Sequence, residues 1–212
     1  MTQGLAAAPD GARSRLQRRA LRLEYATIAW NAGEAVFTIA LGIAAGSLAL
    51  VGFGTDSIIE MFASSVVVWH VRPGHEQDNP GRTRLALRMV AFAFLGLGIV
   101  LLAVSIQQLA AGRRAGESIA GIVYLSFTAI VMFGLAFLKK RTAEQLQSAP
   151  LRSEAAMTFL DGILSTLTLI GLSLNVVFGW AWADPLAALF VGLAAISASR
   201  QNWREAAEIR VS

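Results

Sequence analysis

The chain has 212 residues, of which 55% are hydrophobic and 15% charged, with a net charge of +4 and no cysteine. A soluble domain carries about 25% charged residues, so the composition excludes a disordered chain, a cysteine-based scaffold or zinc module and a soluble enzyme with a full polar coat. An integral membrane protein remains. The 18 Lys and Arg fall in short stretches between apolar runs, the pattern of membrane flanks rather than of a nucleic-acid partner.

Residues 1–21 form a basic segment with Arg13, Arg15, Arg18 and Arg19. It has no small-residue cleavage site after a short apolar core, so it reads as a cytoplasmic tail. A spanning helix needs ~20 mostly apolar residues. Six stretches qualify: Leu23–Ala45, Ser47–Trp69, Leu85–Ala111, Ile119–Leu138, Ala155–Phe178 and Pro185–Ser199. Breakers separate them at Gly46, Pro73-Gly74, Gly112, Pro150, Gly179 and Asp184-Pro185. Asp184-Pro185 reads as an N-cap followed by proline at the first helical position. In the sixth stretch Ala188, Gly192, Ala195 and Ser199 form a small-residue stripe, suited to close helix contact between chains or within one. The expected fold is an all-α membrane protein with six transmembrane helices over residues 22–200, closed by a short cytoplasmic tail at 201–212.

Orientation follows from Lys and Arg. Sixteen of them flank one side, including Arg72, Arg82, Lys139, Lys140, Arg152 and Arg200; only Arg113 and Arg114 flank the other. The bias puts both termini in the cytoplasm of a cell with an inner or plasma membrane. Trp69, Trp180, Trp182 and Trp203 fall near the expected interfaces, as belt residues do.

Four acidic residues lie deep inside the apolar stretches: Glu34, Asp56, Glu60 and Asp161. Counted from the flanking arginines at 1.5 Å per residue, they sit roughly 14–24 Å deep, in mid-bilayer. Each costs at least ~2.5 kcal/mol there, which makes it a functional candidate. Asp56 and Glu60 are four apart and share one helix face. Their repulsion is relieved by a cation between them or by a proton. Glu154, Met157 and Asp161, spaced i, i+3 and i+7, share a face of the fifth stretch. Packing of the second and fifth helices would bring together up to three carboxylates and a thioether, the donors of a divalent-metal site. Glu34, with Asn31 three residues before it, serves equally as a site member or as an interhelical hydrogen-bonder. Glu154 also suits a helix start, and Met157 suits packing.

The segment GSLALVGFGTDSIIEMFASSVVVW, from Gly46, resembles the second transmembrane helix of the cation diffusion facilitator, or cation efflux, family. SEAAMTFLDGILSTLTLIGLSLN, from Ser153, resembles its fifth, and GWAWADPLAALFVG, from Gly179, its entry into the sixth. The resemblance runs from about Arg22 to Arg200. It implies a homodimeric exporter of zinc or a related divalent ion, driven by proton antiport. Asp56 and Glu60 fall on the family's paired ligand positions and Asp161 on its aspartate. Met157 stands where the family has histidine, which opens the choice of ion to Mn, Fe or Co. The family's cytoplasmic metal-binding domain has no counterpart in these residues. His70 and His75, with Glu76 and Asp78, lie in the loop after the second stretch, too sparse for a metal tract.

The expected function is thus secondary transport of a divalent metal, with Asp56, Glu60, Asp161 and Met157 as ligands and Glu34 or Glu154 completing the shell. The alternatives are a proton-coupled transporter of a small organic cation, using the same carboxylates as counter-ions, and a non-transporting membrane partner of another protein. No nucleophile–base pair or phosphate loop points to an enzyme. No prosthetic group is expected; the partners are the lipid bilayer, the metal ion as substrate, protons and a second copy of the chain.

Overall fold

The computed structural model describes residues 10–45, 48–72, 79–111, 119–180 and 182–209. They form six helices: α1 (Asp10–Ala45), α2 (Leu48–Val71), α3 (Pro80–Ala111), α4 (Ile119–Leu146), α5 (Ala149–Phe178) and α6 (Ala183–Glu208). There is no strand among the described residues. Several helices outrun the apolar stretches: α1 begins well before Leu23, α4 continues through Lys139 and Lys140, and α6 continues past Arg200. Hydropathy marks where a helix meets lipid. Arg, Lys, Glu and Ala are strong helix formers, so the helix itself continues beyond that point.

Two helix boundaries have identifiable devices. At the start of α3, the Arg82 amide donates to Asn79 Oδ1 at 3.2 Å, and Pro80 follows at the first helical position, an N-cap with its proline. The Asp184-Pro185 pair does not play that part. Helix α6 starts two residues earlier, at Ala183, its N-cap is Trp182, and no side chain caps it. Asp184 lies inside the first turn, its carboxylate against the Thr168 hydroxyl. Gly171 of α5 leaves room for it: a Cβ there would stand 2.7 Å from the Asp184 Cα. Between α4 and α5, Gln147 takes φ 51°. The Ser148 amide donates to the Ala143 carbonyl at 3.0 Å and the Gln147 amide to the Glu144 carbonyl at 3.3 Å, the paired bonds of a Schellman turn. The Ser148 hydroxyl then accepts from the Leu151 amide at 3.5 Å. Pro150 therefore sits in the first turn of α5, where proline is tolerated.

The helices close a ring in the order α1, α2, α3, α6, α5, α4, with α2 touching α5 across the middle. An Arg152–Glu205 ion pair at 2.5 Å and the Arg82 guanidinium over the Trp69 ring at 4.0 Å put the starts of α3 and α5 beside the ends of α2 and α6. This is the arginine-rich end of the bundle. The α3/α6 pair is tight. A Cβ on Gly98 would lie 2.5 Å from Ile196 Cγ1 and 2.9 Å from the Gly192 carbonyl oxygen. The Ser199 hydroxyl donates to the Ala91 carbonyl at 2.7 Å. The small-residue stripe of α6 thus faces α3 of the same chain.

Polarity is distributed inside out. Val36, Phe92, Ile99, Phe127, Ile130 and Phe190 face outward, Val36 with 73% and Ile130 with 71% of their surface exposed. Glu24, Glu34, Asp56, Glu60, Lys139, Glu154 and Asp161 are all buried. In water this arrangement would be unfavourable on both counts; in a bilayer it is the expected one. Pro80–Ala111, Ala149–Gly171 and Ala183–Glu208 are each long and apolar enough to cross a membrane.

Candidate metal centre

The buried polar residues form a column between α1, α2, α4 and α5. It starts near the arginine-rich end. The Schellman turn folds α4 back on α5, which brings Lys139 opposite Glu154. The Lys139 ammonium donates to both oxygens of Glu154, at 2.6 and 2.8 Å, and to Thr158 Oγ1 at 3.1 Å. Glu24 Oε2 of α1 lies 3.3 Å from it. All three charged side chains are fully buried. Ser64 of α2 donates to Glu154 Oε1 at 2.9 Å.

One turn deeper, the Thr158 hydroxyl donates to Glu60 Oε1 at 2.6 Å, and Asn31 Nδ2 donates to Glu60 Oε2 at 3.2 Å. Deeper still, Glu34 accepts from the Tyr124 hydroxyl at 2.5 Å and from Ser57 Oγ at 3.0 Å. Asp56 lies within electrostatic reach of Glu60 and Glu34. Asp161 lies within reach of Glu60, Asp56 and Glu34. Its Oδ2 is buried and has no hydrogen-bond partner among the described residues.

Helices α2 and α5 do pack, and Asp56, Glu60 and Asp161 all point into the bundle near one another. Glu34 of α1 joins them. Yet among the described residues no three Asp, Glu or His side chains stand close enough to grip an ion together. Both Glu60 oxygens and both Glu34 oxygens are already held by neutral donors. The carboxylates share one interior but are tethered apart.

Two residues are placed differently from their sequence readings. Glu154 is no helix cap: it lies inside α5 with both oxygens on Lys139. Met157, on the family's histidine position, packs in the apolar cluster with Leu151, Leu164 and Ala143. Helix rotation explains both. The face of α5 toward α2 and α4 carries Glu154, Thr158, Asp161 and Ser165, and Met157 falls to its apolar side. His70 ends α2, buried and within electrostatic reach of Arg82; His75 lies outside the described residues.

Two residues of the column, Lys139 and Glu24, do not stand out in the sequence, where Lys139 falls in the basic flank and Glu24 beside Arg22. A signal for Lys139 existed. Met132, Ala136, Lys139 and Ala143 are spaced four, three and four apart, and all are buried, so Lys139 occupies a core register while Lys140 and Arg141 point out. The run of three cations hides that periodicity.

The cation efflux transmembrane domain matches residues 25–209, and the chain belongs to that family. An uncharacterized transporter from Synechocystis sp. is 26% identical over 182 residues, covering 79% of this chain and 57% of the relative. The chain thus spans less than two thirds of that relative's length. Together with the inside-out bundle, the match defines an all-α, six-helix membrane protein of a metal cation transporter family.

Proposed function

We propose that the protein moves a divalent metal cation across the membrane, exporting it in exchange for protons, with both termini in the cytoplasm and six spans. The observation that carries this reading is the group Glu34, Asp56, Glu60 and Asp161, buried inside a bundle whose outer surface is apolar. Four carboxylates in one low-dielectric interior repel strongly, and bound cations relieve that repulsion. A divalent ion draws the four together, releasing Tyr124, Ser57, Asn31 and Thr158 from their present acceptors. When the ion leaves, protons take its place, because metal and proton compete for the same oxygens. The family resemblance and the transporter relative support the same class of activity.

The donors are oxygen only. Carboxylates suit Mn²⁺ and Fe²⁺ as well as Zn²⁺ and Co²⁺, so the ion choice is broader than an imidazole site would give. Glu34 takes the fourth position left by Met157. The transporting unit is a homodimer, as the resemblance implies.

Purified protein in liposomes, with a divalent-metal fluorophore inside and an imposed pH gradient, tests this. Gradient-driven flux of Zn²⁺, Mn²⁺, Fe²⁺ or Co²⁺ is expected for the wild type. Glu60→Gln and Asp161→Asn are expected to fall to the level of protein-free vesicles, and Met157→Leu to retain flux. Absence of flux for every ion, or full flux in the two carboxylate variants, overturns the reading and favours an organic cation.

A further inference from the structure

Lys139 is not needed to bind a transported metal, and a positive charge near a cation site repels the cation. Its surroundings are those of a cation site. The ammonium is fully buried and contacts three anionic oxygens: two from Glu154 at 2.6 and 2.8 Å and one from Glu24 at 3.3 Å. The hydroxyl of Thr158 stands 3.1 Å from it, and that of Ser64 lies against Glu154. These donors are all hard oxygens, the set that Mn²⁺ or Mg²⁺ takes. One donor is unused: Glu24 Oε1 is buried and has no hydrogen-bond partner among the described residues. The Glu24 carboxyl also lies against Glu154 and Ser64; with both carboxyls ionised, a divalent ion in place of the ammonium makes the group neutral.

We propose that Glu24, Glu154, Ser64 and Thr158 form a second, outer cation-binding position, filled by the Lys139 ammonium at rest and taken over by a divalent metal ion that displaces it. The outer position lies between the arginine-rich end and the Asp56, Glu60 and Asp161 group. Thr158 links the two, because its hydroxyl accepts from Lys139 and donates to Glu60. Displacement of the ammonium frees that hydroxyl from Lys139 as the ion arrives. The transport reading supplies the direction of ion movement; binding at the outer position stands without it. The tethered ammonium also acts as a selectivity device, since a monovalent ion gains nothing by replacing one monovalent charge with another.

Lys139 and Lys140 are the only lysines, and Lys140 is exposed. An amine-reactive acylating reagent can therefore be read by mass spectrometry as a Lys139 to Lys140 ratio, with Mn²⁺ as the probe ion. Mn²⁺ is expected to raise that ratio several-fold in the wild type, and K⁺ to leave it unchanged. In equilibrium dialysis Lys139→Met is expected to bind the outer Mn²⁺ at a several-fold lower concentration than the wild type, with the same number of ions per chain at saturation. That outer ion should vanish in Lys139→Met with Glu154→Gln and persist in Lys139→Met with Asp161→Asn. A labelling ratio unmoved by saturating Mn²⁺ overturns the proposal, as does an outer ion that survives Glu154→Gln. If Lys139→Met does not fold, the wild-type labelling decides. If the wild type shows no metal flux but Mn²⁺ still exposes Lys139, the transport reading fails and the outer position stands; flux with an unmoved ratio means the reverse.

Discussion

Helices α3 and α6 approach closely at Gly98, Gly192 and Ser199, with Ile196 and Leu101 packed around them, whereas α1, α2, α4 and α5 face each other through carboxylates, hydroxyls and an ammonium. The two regions meet different requirements of the same solvent. In lipid, two apolar helices gain nothing hydrophobic by meeting, so α3 and α6 rely on close approach at Gly98 and Gly192. The other four helices bury groups that lipid penalises, and most of these groups are held there by one another. One region is held by shape and the other by charge balance. The proposed ion site belongs to the second.

That contrast can be broken from either side. The largest effect is expected from Lys139→Met. It leaves Glu24 and Glu154 buried without a counter-charge, a loss of about 3–5 kcal/mol for a broken buried pair. The apparent melting temperature in detergent should fall sharply. Adding Glu154→Gln should recover much of the loss, because it removes one of the stranded charges. A melting temperature unchanged in the single variant would mean that charge balance does not hold this region.

Gly98→Ala comes next. The added methyl meets Ile196 and the Gly192 carbonyl within 3 Å, and such overpacking costs about 1–3 kcal/mol. Stability should fall while metal flux per folded molecule stays at the wild-type value. A selective loss of flux would show that the α3/α6 pair moves during transport.

The smallest effect is expected from Tyr124→Phe. It removes one hydrogen bond to Glu34, worth about 0.5–1.5 kcal/mol, and releases that carboxylate toward the ion. Mn²⁺ affinity, read by equilibrium dialysis, should rise by roughly two- to tenfold. Weaker binding would assign Tyr124 to the ion's own shell.

The sequence made some of this plain and concealed the rest for physical reasons. Six helices were legible because lipid demands long apolar runs. Asp56, Glu60 and Asp161 stood out because a carboxylate in such a run carries an insertion cost, and their spacing put them on facing surfaces of α2 and α5. Lys139 was concealed because a cation beside two others at a membrane edge is the commonest pattern there is, and only helix rotation separates it from Lys140. Asp184-Pro185 misleads because the pair looks like a cap until its neighbours are included; the same device is present three loops earlier, at Asn79-Pro80. The role of Gly192 could not be read from α6 alone, since its partner, Gly98, lies far away in sequence.

The turn at Gln147 and Ser148 bears on how the protein enters the membrane. Lys139 and Glu154 are only 15 residues apart, on helices joined by two residues. A helical hairpin of that kind can pass from translocon to bilayer as one piece. The lipid then meets a neutral, mutually bonded couple instead of a bare ammonium followed by a bare carboxylate. An arrangement that places two charges deep in the interior thus also supplies the means of carrying them there.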